Sequence, residues 1–280
     1  MQKTLFLLIT VLTIISVSAS GQNSINVLTW NLRLDTPDDK EDVWGNRKED
    51  VVRLIKFFQA DFICIQEGLN HQVKYLNDSL QTHNYVGVGR DDGKEKGEYC
   101  AIFYRKSRFQ VIEQQTFWLS ETPDKPSIGW DAAIVRICTW LKVKDLQSNS
   151  DFFIFNTHFD HMGKLAREKS AELILKKINM IDKDQLPVIL CGDFNATDAE
   201  KPYFVITHQL VDTRKISLLP PFGPIATFNN FHFDEIPSQR IDYIFVNEKS
   251  QVLRHGVLTN SKNNHYPSDH FPVLSEIVLK

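Results

Sequence analysis

Pro187-Val188-Ile189-Leu190-Cys191-Gly192-Asp193-Phe194-Asn195 is a short apolar run that ends on an aspartate and an asparagine. A run of this length and composition reads as a buried strand. The same construction recurs along the chain. Thr29-Trp30-Asn31 closes the run Ile25–Trp30, Gln66-Glu67 closes Asp61–Ile65, and Asn156-Thr157-His158-Phe159-Asp160-His161 closes Asp151–Asn156. Arg240-Ile241-Asp242-Tyr243 opens Ile241–Asn247, and Ser268-Asp269-His270-Phe271-Pro272 opens the last run, Phe271–Leu279. Four more runs, Tyr99–Tyr104, Phe109–Phe117, Ala133–Val143 and Val252–Leu258, also read as strands. If neighbouring strands end on one rim, the polar groups meet at one mouth, where sheets usually carry their sites.

Helical periodicity lies between some of these runs. Arg47–Gln59 puts Val51, Leu54, Ile55 and Phe58 on one stripe, and Leu165–Ile181 spaces Ala171, Ile174, Ile178 and Ile181 by threes and fours. No Pro-, Gly- or Ser-rich linker divides the chain, and no repeat of solenoid length is visible. With 280 residues, 42% hydrophobic, the chain can build a large core without a disulfide or structural metal. The expectation is one α+β domain over residues 23–280, with two sheets packed together and helices outside.

The first 22 residues have a different character. Lys3 precedes an apolar run from Leu5 to Val17, and Ser18-Ala19-Ser20-Gly21 offers the small residues of a cleavage site. Thirteen residues fall short of the roughly 20 needed to span a bilayer. Residues 1–22 therefore read as a removed signal peptide, and the mature protein is expected in the periplasm or outside the cell, without stable membrane insertion. Loss of Lys3 leaves 31 basic and 35 acidic residues, net −4. That balance disfavours a protein that coats nucleic acid, which needs a basic surface to displace counterions. Cys64, Cys100, Cys138 and Cys191 each sit inside an apolar run and read as buried free thiols rather than a disulfide framework.

Taken singly, the strand-end residues say little. An Asp or Asn there often bonds the local backbone as a turn residue. As an ordered set, however, Thr29-Trp30-Asn31, Gln66-Glu67, Asn156-Thr157-His158, Gly192-Asp193-Phe194-Asn195, Arg240-Ile241-Asp242-Tyr243 and Ser268-Asp269-His270 resemble the signature blocks of the endonuclease/exonuclease/phosphatase superfamily. These are the DNase I-like proteins, among them abasic-site endonucleases, CCR4-type deadenylases, inositol-polyphosphate 5-phosphatases and neutral sphingomyelinases. The likeness runs from about residue 25 to 279, and its Asn156-Thr157-His158 block is closest in form to the deadenylase and 5-phosphatase branches.

The resemblance implies a four-layer α/β/β/α sandwich, with two mixed sheets face to face and helices outside. It also implies hydrolysis of a phosphoester by direct attack of water, with Mg²⁺ as cofactor and Mn²⁺ as a substitute. Oxygen ligands suit such a cation, which stabilises charge on the phosphoryl group. In that scheme Glu67 is the main metal ligand, with Asn31 and Asp269 nearby. Asp193 activates or orients the water, Asn195 holds the phosphate or that water, and His158 contacts the phosphate from the other side. His270 donates to a phosphoryl oxygen or acts as base, and Asp242 fixes its tautomer. Asn229 and Asn230, in Ala226–Phe231, fall where related enzymes touch the leaving group.

Other residues keep two readings. Asp160 and His161 could face substrate or a second cation, or belong to a solvated loop. Arg240 reads as a salt-bridge partner beneath the site. Asp91–Glu98 is either a solvated hairpin tip or a lid, and Trp118 and Trp130 either pack in the core or stack on a ring. The expected partner is a phosphate ester, nucleic acid being possible but disfavoured by charge, and the protein is expected to be a monomer. The alternative function is a noncatalytic metal- or phosphate-binding protein that keeps the fold. Loss of Glu67, Asp193 or His270 would mark it, and all three are present.

Overall fold

The structure, a computed structural model, describes residues 24–280, so the expected signal peptide lies outside the described residues. In chain order the strands are β1 (Ser24–Asn31), β2 (Phe62–Gln66), β3 (His83–Val86), β4 (Ile102–Arg105), β5 (Phe109–Trp118) and β6 (Ile137–Asp145), then β7 (Ser150–His158), β8 (Val188–Asp193), β9 (Val211–Asp212), β10 (Asp242–Val246), β11 (Ser250–Val257) and β12 (Val273–Leu279). The helices are α1 (Trp44–Phe58), α2 (Asn70–Ser79), α3 (Lys164–Ile181), α4 (Lys201–Thr207) and α5 (Thr213–Ile216). One sheet has the order β11-β12-β1-β2-β4-β3, the other β5-β6-β7-β8-β10-β9. Each is mixed: β1 and β2 run parallel, as do β7 and β8, and the other pairs are antiparallel.

Alternation along the strands builds the layers, because successive side chains point to opposite faces. Val27, Phe62, Cys64, Ile154, Ile189, Cys191, Ile244 and Val273 fill the space between the sheets. The residues between them face outward. Leu28, Trp30, Ile63 and Ile65 pack with Val51, Leu54 and Ile55 of α1 and with Val73 and Leu76 of α2. Phe153, Phe155, Leu190 and Phe245 pack with Ala171, Ile174 and Ile178 of α3 and with Tyr203 and Ile206 of α4. This is the four-layer DNase I-like sandwich. Each fully buried large apolar side chain contributes about 1.5–3 kcal/mol, which lets one rim of the inner layer be polar at a cost.

That rim follows from the same parity. Continuing the inner positions two residues at a time carries β1 to Asn31, β2 to Gln66, β7 to Asn156 and His158, and β8 to Asp193. Asp242 lies opposite Asp193 in the β8–β10 register. Polar side chains then join the sheets. Gln66 Nε2 donates to Asn156 Oδ1 at 2.6 Å, and Asn156 Nδ2 donates to the carbonyls of Ile65 and Ala101 at 2.8 and 2.9 Å.

Several elements depart from the sequence expectation. The run Ala133–Val143 becomes a strand only at Ile137, because the amides of Ala133 and Ile134 donate to the Asp160 carboxylate instead of to a neighbouring strand. The helix α2 buries only Gln72, Val73 and Leu76, too few for a periodic signal. The strand β9 is two residues long, and α4 opens on Lys201-Pro202, which satisfies a helix start but breaks its apolar pattern. All four cysteines are buried and unbridged. No helix among the described residues is long and apolar enough to cross a membrane.

Candidate active site

Three backbone details aim the rim residues inward. At Gly192 the backbone has φ 145°, and an added Cβ would collide with the Thr157 carbonyl, so the step into Asp193 requires glycine. Glu67 has φ 61° and Asn195 has φ 44°, both left-handed. Glu67 follows Gln66 and by parity would face the outer helices. The left-handed turn brings it to the mouth instead, and such outliers persist where the surroundings over-determine them.

The side chains meet around Asp193. Asn31 Nδ2 lies 2.8 Å from Glu67 Oε1 and 3.0 Å from Asp193 Oδ2, so one amide joins the two carboxylates. The Leu34 amide donates to Glu67 Oε2 at 3.1 Å. His158 Nε2 stands 3.4 Å from Asp193 Oδ2 and 3.1 Å from Asn195 Nδ2. On the opposite side His270 Nδ1 and Asp242 Oδ2 are 2.9 Å apart, and His270 Nε2 is 3.9 Å from Asp193 Oδ2. Trp30 Nε1 donates to the His270 carbonyl at 2.8 Å, and Phe228 packs edge-on against the imidazole.

Burial and charge set the protonation states. Burial, then the Asp242 carboxylate, push Asp193 up to about 7, although His270 and two hydrogen bonds oppose the shift. Burial also lifts Asp269 to about 6, with Glu67 adding to it. Burial alone would raise Glu67, but Asn31, His270 and the Leu34 amide outweigh it and hold the carboxyl below its usual range. Burial opposes the charged form of His270, and Asp242 reverses this, raising the imidazole well above its ordinary value. His158 goes the other way: burial, then Arg136 and Arg90, keep it neutral.

A hard divalent cation fits this set. Ligand atoms of Glu67, His158 and Asp193 lie within 4.8 Å of one another, as do those of Asp193, Asp242 and His270. Two carboxylates raised by burial and by like charge are what an oxygen-rich site shows when a cation would relieve it.

The structure brings Asn31, Glu67, His158, Asp193, Asn195, Asp242, Asp269 and His270 to one mouth. Asn229 is placed otherwise. It is buried and spends its amide on the backbone, donating to the Ser268 carbonyl at 3.1 Å and accepting from the Phe231 amide at 2.8 Å. Its main-chain amide and that of Asn230 donate to the Asp269 carbonyl at 2.7 and 3.0 Å, so the pair ties this loop to the main chain at Asp269. Asp160 is buried and accepts from the amides of Ala133, Ile134, Met162 and Gly163, which makes it a loop anchor. Arg240 pairs with Asp212 at 2.6 and 2.8 Å beneath the site. Trp118 is buried, with its Nε1 donating to the Arg90 carbonyl, while Trp130 is half-buried. Sequence reasoning missed Arg90 and Arg136, which stand behind His158 with Glu98, and carried Glu98 only as the last residue of the Asp91–Glu98 tip or lid. The one signal was a lone arginine between apolar residues in Val135-Arg136-Ile137-Cys138.

Crowded oxygens that call for a cation, beside donors suited to growing negative charge, are the equipment of phosphoester hydrolysis. Metal-dependent hydrolases of phosphoric ester bonds are the class of protein that carries such a site. The chain belongs to the Endonuclease/Exonuclease/phosphatase family, whose profile matches residues 28–270.

A mannosyl-6-phosphatase of Bacteroides thetaiotaomicron has the same fold, with a TM-score of 0.88 and 40% identity over 91% of this chain and 100% of that one. The CCR4-Not complex 3'-5'-exoribonuclease subunit Ccr4 of Mycosarcoma maydis is 23% identical over 92% of this chain and 51% of its own length. Nocturnin of Rattus norvegicus is 24% identical over 92% of this chain and 66% of its own. The chain thus spans about half to two thirds of these curated relatives.

Proposed function

We propose that the protein is an exported, Mg²⁺-dependent phosphomonoesterase of small phosphate esters, sugar phosphates first, in which Mn²⁺ can replace Mg²⁺. The observation that carries the chemistry is the linked arrangement of Glu67, Asn31, Asp193, His270 and Asp242. The cation would be held by Glu67, with Asn31 and Asp269 beside it. When bound it supplies positive charge against the phosphoryl oxygens. Asp193, lifted toward neutral pH, takes a proton from the attacking water, and Asn195 and His158 orient that water or the phosphoryl group. His270, bonded to Asp242 through Nδ1, donates from Nε2 to a phosphoryl oxygen.

The preference for a small monoester rests on two supports. One is the likeness to the mannosyl-6-phosphatase along the whole of that chain. The other is the acidic balance, which disfavours a long polyanion. The signal-like residues 1–22 support export. The test is hydrolysis of phenyl phosphate and of bis-phenyl phosphate, with Mg²⁺ and with EDTA. Faster turnover of the monoester, abolished by EDTA, is expected. Preference for the diester would overturn the monoesterase reading, and no turnover of any ester would favour a noncatalytic binder.

A further inference from the structure

Val, Ile, Leu and Phe side chains fill most of the layer between the two sheets, but not the edge where β3 and β5 are the outermost strands. There a groove of about 660 Å³ stays open. The strand register decides which side chains face it. On β5 the pairing with β6 slips between Val111 and Glu113, a bulge that inserts one extra residue. Without the bulge, alternation from Phe109 and Val111 would point Glu113, Gln115 and Phe117 between the sheets. With it, Gln114, Thr116 and Trp118 take that face, and Glu113 turns outward to within 4.0 Å of Lys142. On the facing sheet Asn84 pairs with Tyr104, and Val86 with Ile102, which lies in the inter-sheet core.

Two features separate the groove from a packing defect. Asn84 and Gln114 point between the sheets yet are exposed, so amides stand where the rest of that layer carries apolar side chains. None of the residues lining the groove is charged, in a chain with 24% charged residues. That composition narrows the occupant. A polyanion calls for Lys or Arg, and a metal ion calls for carboxylates or imidazoles; the lining has neither. An added strand is opposed by the edges themselves, since β3 has four residues and β5 is bulged. A neutral polyhydroxyl chain fits. Each amide offers donors and an acceptor together, as each sugar hydroxyl does. Tyr85 and Tyr104 add hydroxyls and apolar ring faces that can cover the C–H face of a pyranose. The volume lies within the range of about 300–1,000 Å³ usual for small-molecule sites.

We propose that this groove binds a neutral saccharide, apart from the catalytic mouth. Its direction gives the binding a use. β3 runs the same way as β2, and β5 the same way as β7, so the groove leads up the side of the sandwich toward the rim that carries Glu67 and His158. A saccharide held there keeps the protein on glycan material. Binding is independent of the monoesterase reading, because the lining of the groove, and not the mouth, selects the occupant.

The test is calorimetric titration of the whole protein with neutral tetrasaccharides of mannose, glucose, galactose and N-acetylglucosamine. At least one should bind with a dissociation constant below about 5 mM. The double variant Asn84→Ala/Gln114→Ala, which trims two exposed side chains, should weaken that binding about 10-fold, with the melting temperature and phenyl phosphate turnover as in the wild type. Lack of binding by all four at about 20 mM would overturn the proposal, as would binding that the double variant leaves intact. Displacement of the saccharide by inorganic phosphate would put it in the mouth instead and overturn the groove. An octapeptide of alternating Thr and Val that binds in place of the saccharides, and is weakened by the same variant, would assign the edge to an added strand and overturn it too.

Discussion

Asp193 and Asp212 are both fully buried carboxylates on the same sheet, one on β8 and one on β9, yet their surroundings are opposite. Asp212 receives both arms of the Arg240 guanidinium, the Tyr203 hydroxyl at 3.1 Å and the Arg214 amide at 3.0 Å. Burial alone would raise it, and Arg240 reverses the sign, so Asp212 stays ionised below the usual carboxylate range. Asp193 faces Asp242 and has only amide donors and imidazoles nearby, so its carboxyl rises to about 7. A buried charge that finds its partner holds the fold; one denied a full partner is kept ready for a ligand and a proton.

The contrast can be broken at either end. The largest effect is expected on turnover: Asp193→Asn and His270→Ala should each lower kcat about 10²–10⁴-fold while the protein stays folded by circular dichroism. Near-normal turnover in either would remove that residue from the chemistry. Next comes the metal. Glu67→Gln should raise the Mg²⁺ concentration needed for half-maximal activity by about 10–100-fold, the span over which a single outer partner already tunes metal affinity. An unshifted titration would show that another residue holds the ion.

On the structural side, Arg240→Met should cost about 3–5 kcal/mol in urea unfolding, because it strands Asp212 without a partner. Joint replacement of Asp212 and Arg240 by apolar residues should cost far less, and equal penalties would mean that the pair acts through packing alone.

Proton linkage gives smaller and opposite signs. For Asp212 the folded-state value is depressed, so its stabilisation is present above the unfolded carboxylate range and lost as pH falls through the folded value. For Asp193 the folded-state value is raised to about 7, so without metal stability declines as pH climbs from the unfolded range, about 4, to 7. Asp193→Asn, in EDTA at pH 8, should therefore melt a few °C above wild type despite being nearly inactive. A lower melting temperature would show that ionised Asp193 is well accommodated after all.

The sequence made one half of this contrast far easier to read than the other. Strand-end motifs such as Gly192-Asp193-Phe194-Asn195 are legible because an apolar run stops abruptly on polar groups, and their order along the chain narrows the fold. Asp212 lies in a two-residue strand whose neighbours give no periodic signal, so Arg240 was readable as a salt-bridge partner without its mate being identifiable. Glu98 looked like one more charge in Asp91–Glu98, a turn whose composition suits solvent. Its burial comes from pairing with Arg90 and from the approach of β6, and neither leaves a local trace. Asn229 shows a different limit of sequence reading: an amide beside a site can tether a loop, as this one does through Ser268 and Phe231, and sequence alone does not separate that from meeting a substrate.

His270 begins the approach to β12 in one sheet, its carbonyl held by Trp30 of that sheet and its imidazole by Asp242 of the other. The residue is thus a clasp between two leaves, and its proton is in place only while they are closed together. Catalysis becomes a gauge of the whole sandwich: on slow heating, activity should disappear no later than the near-ultraviolet signal of the packed aromatic residues, because a molecule that has parted its leaves has also disarmed itself.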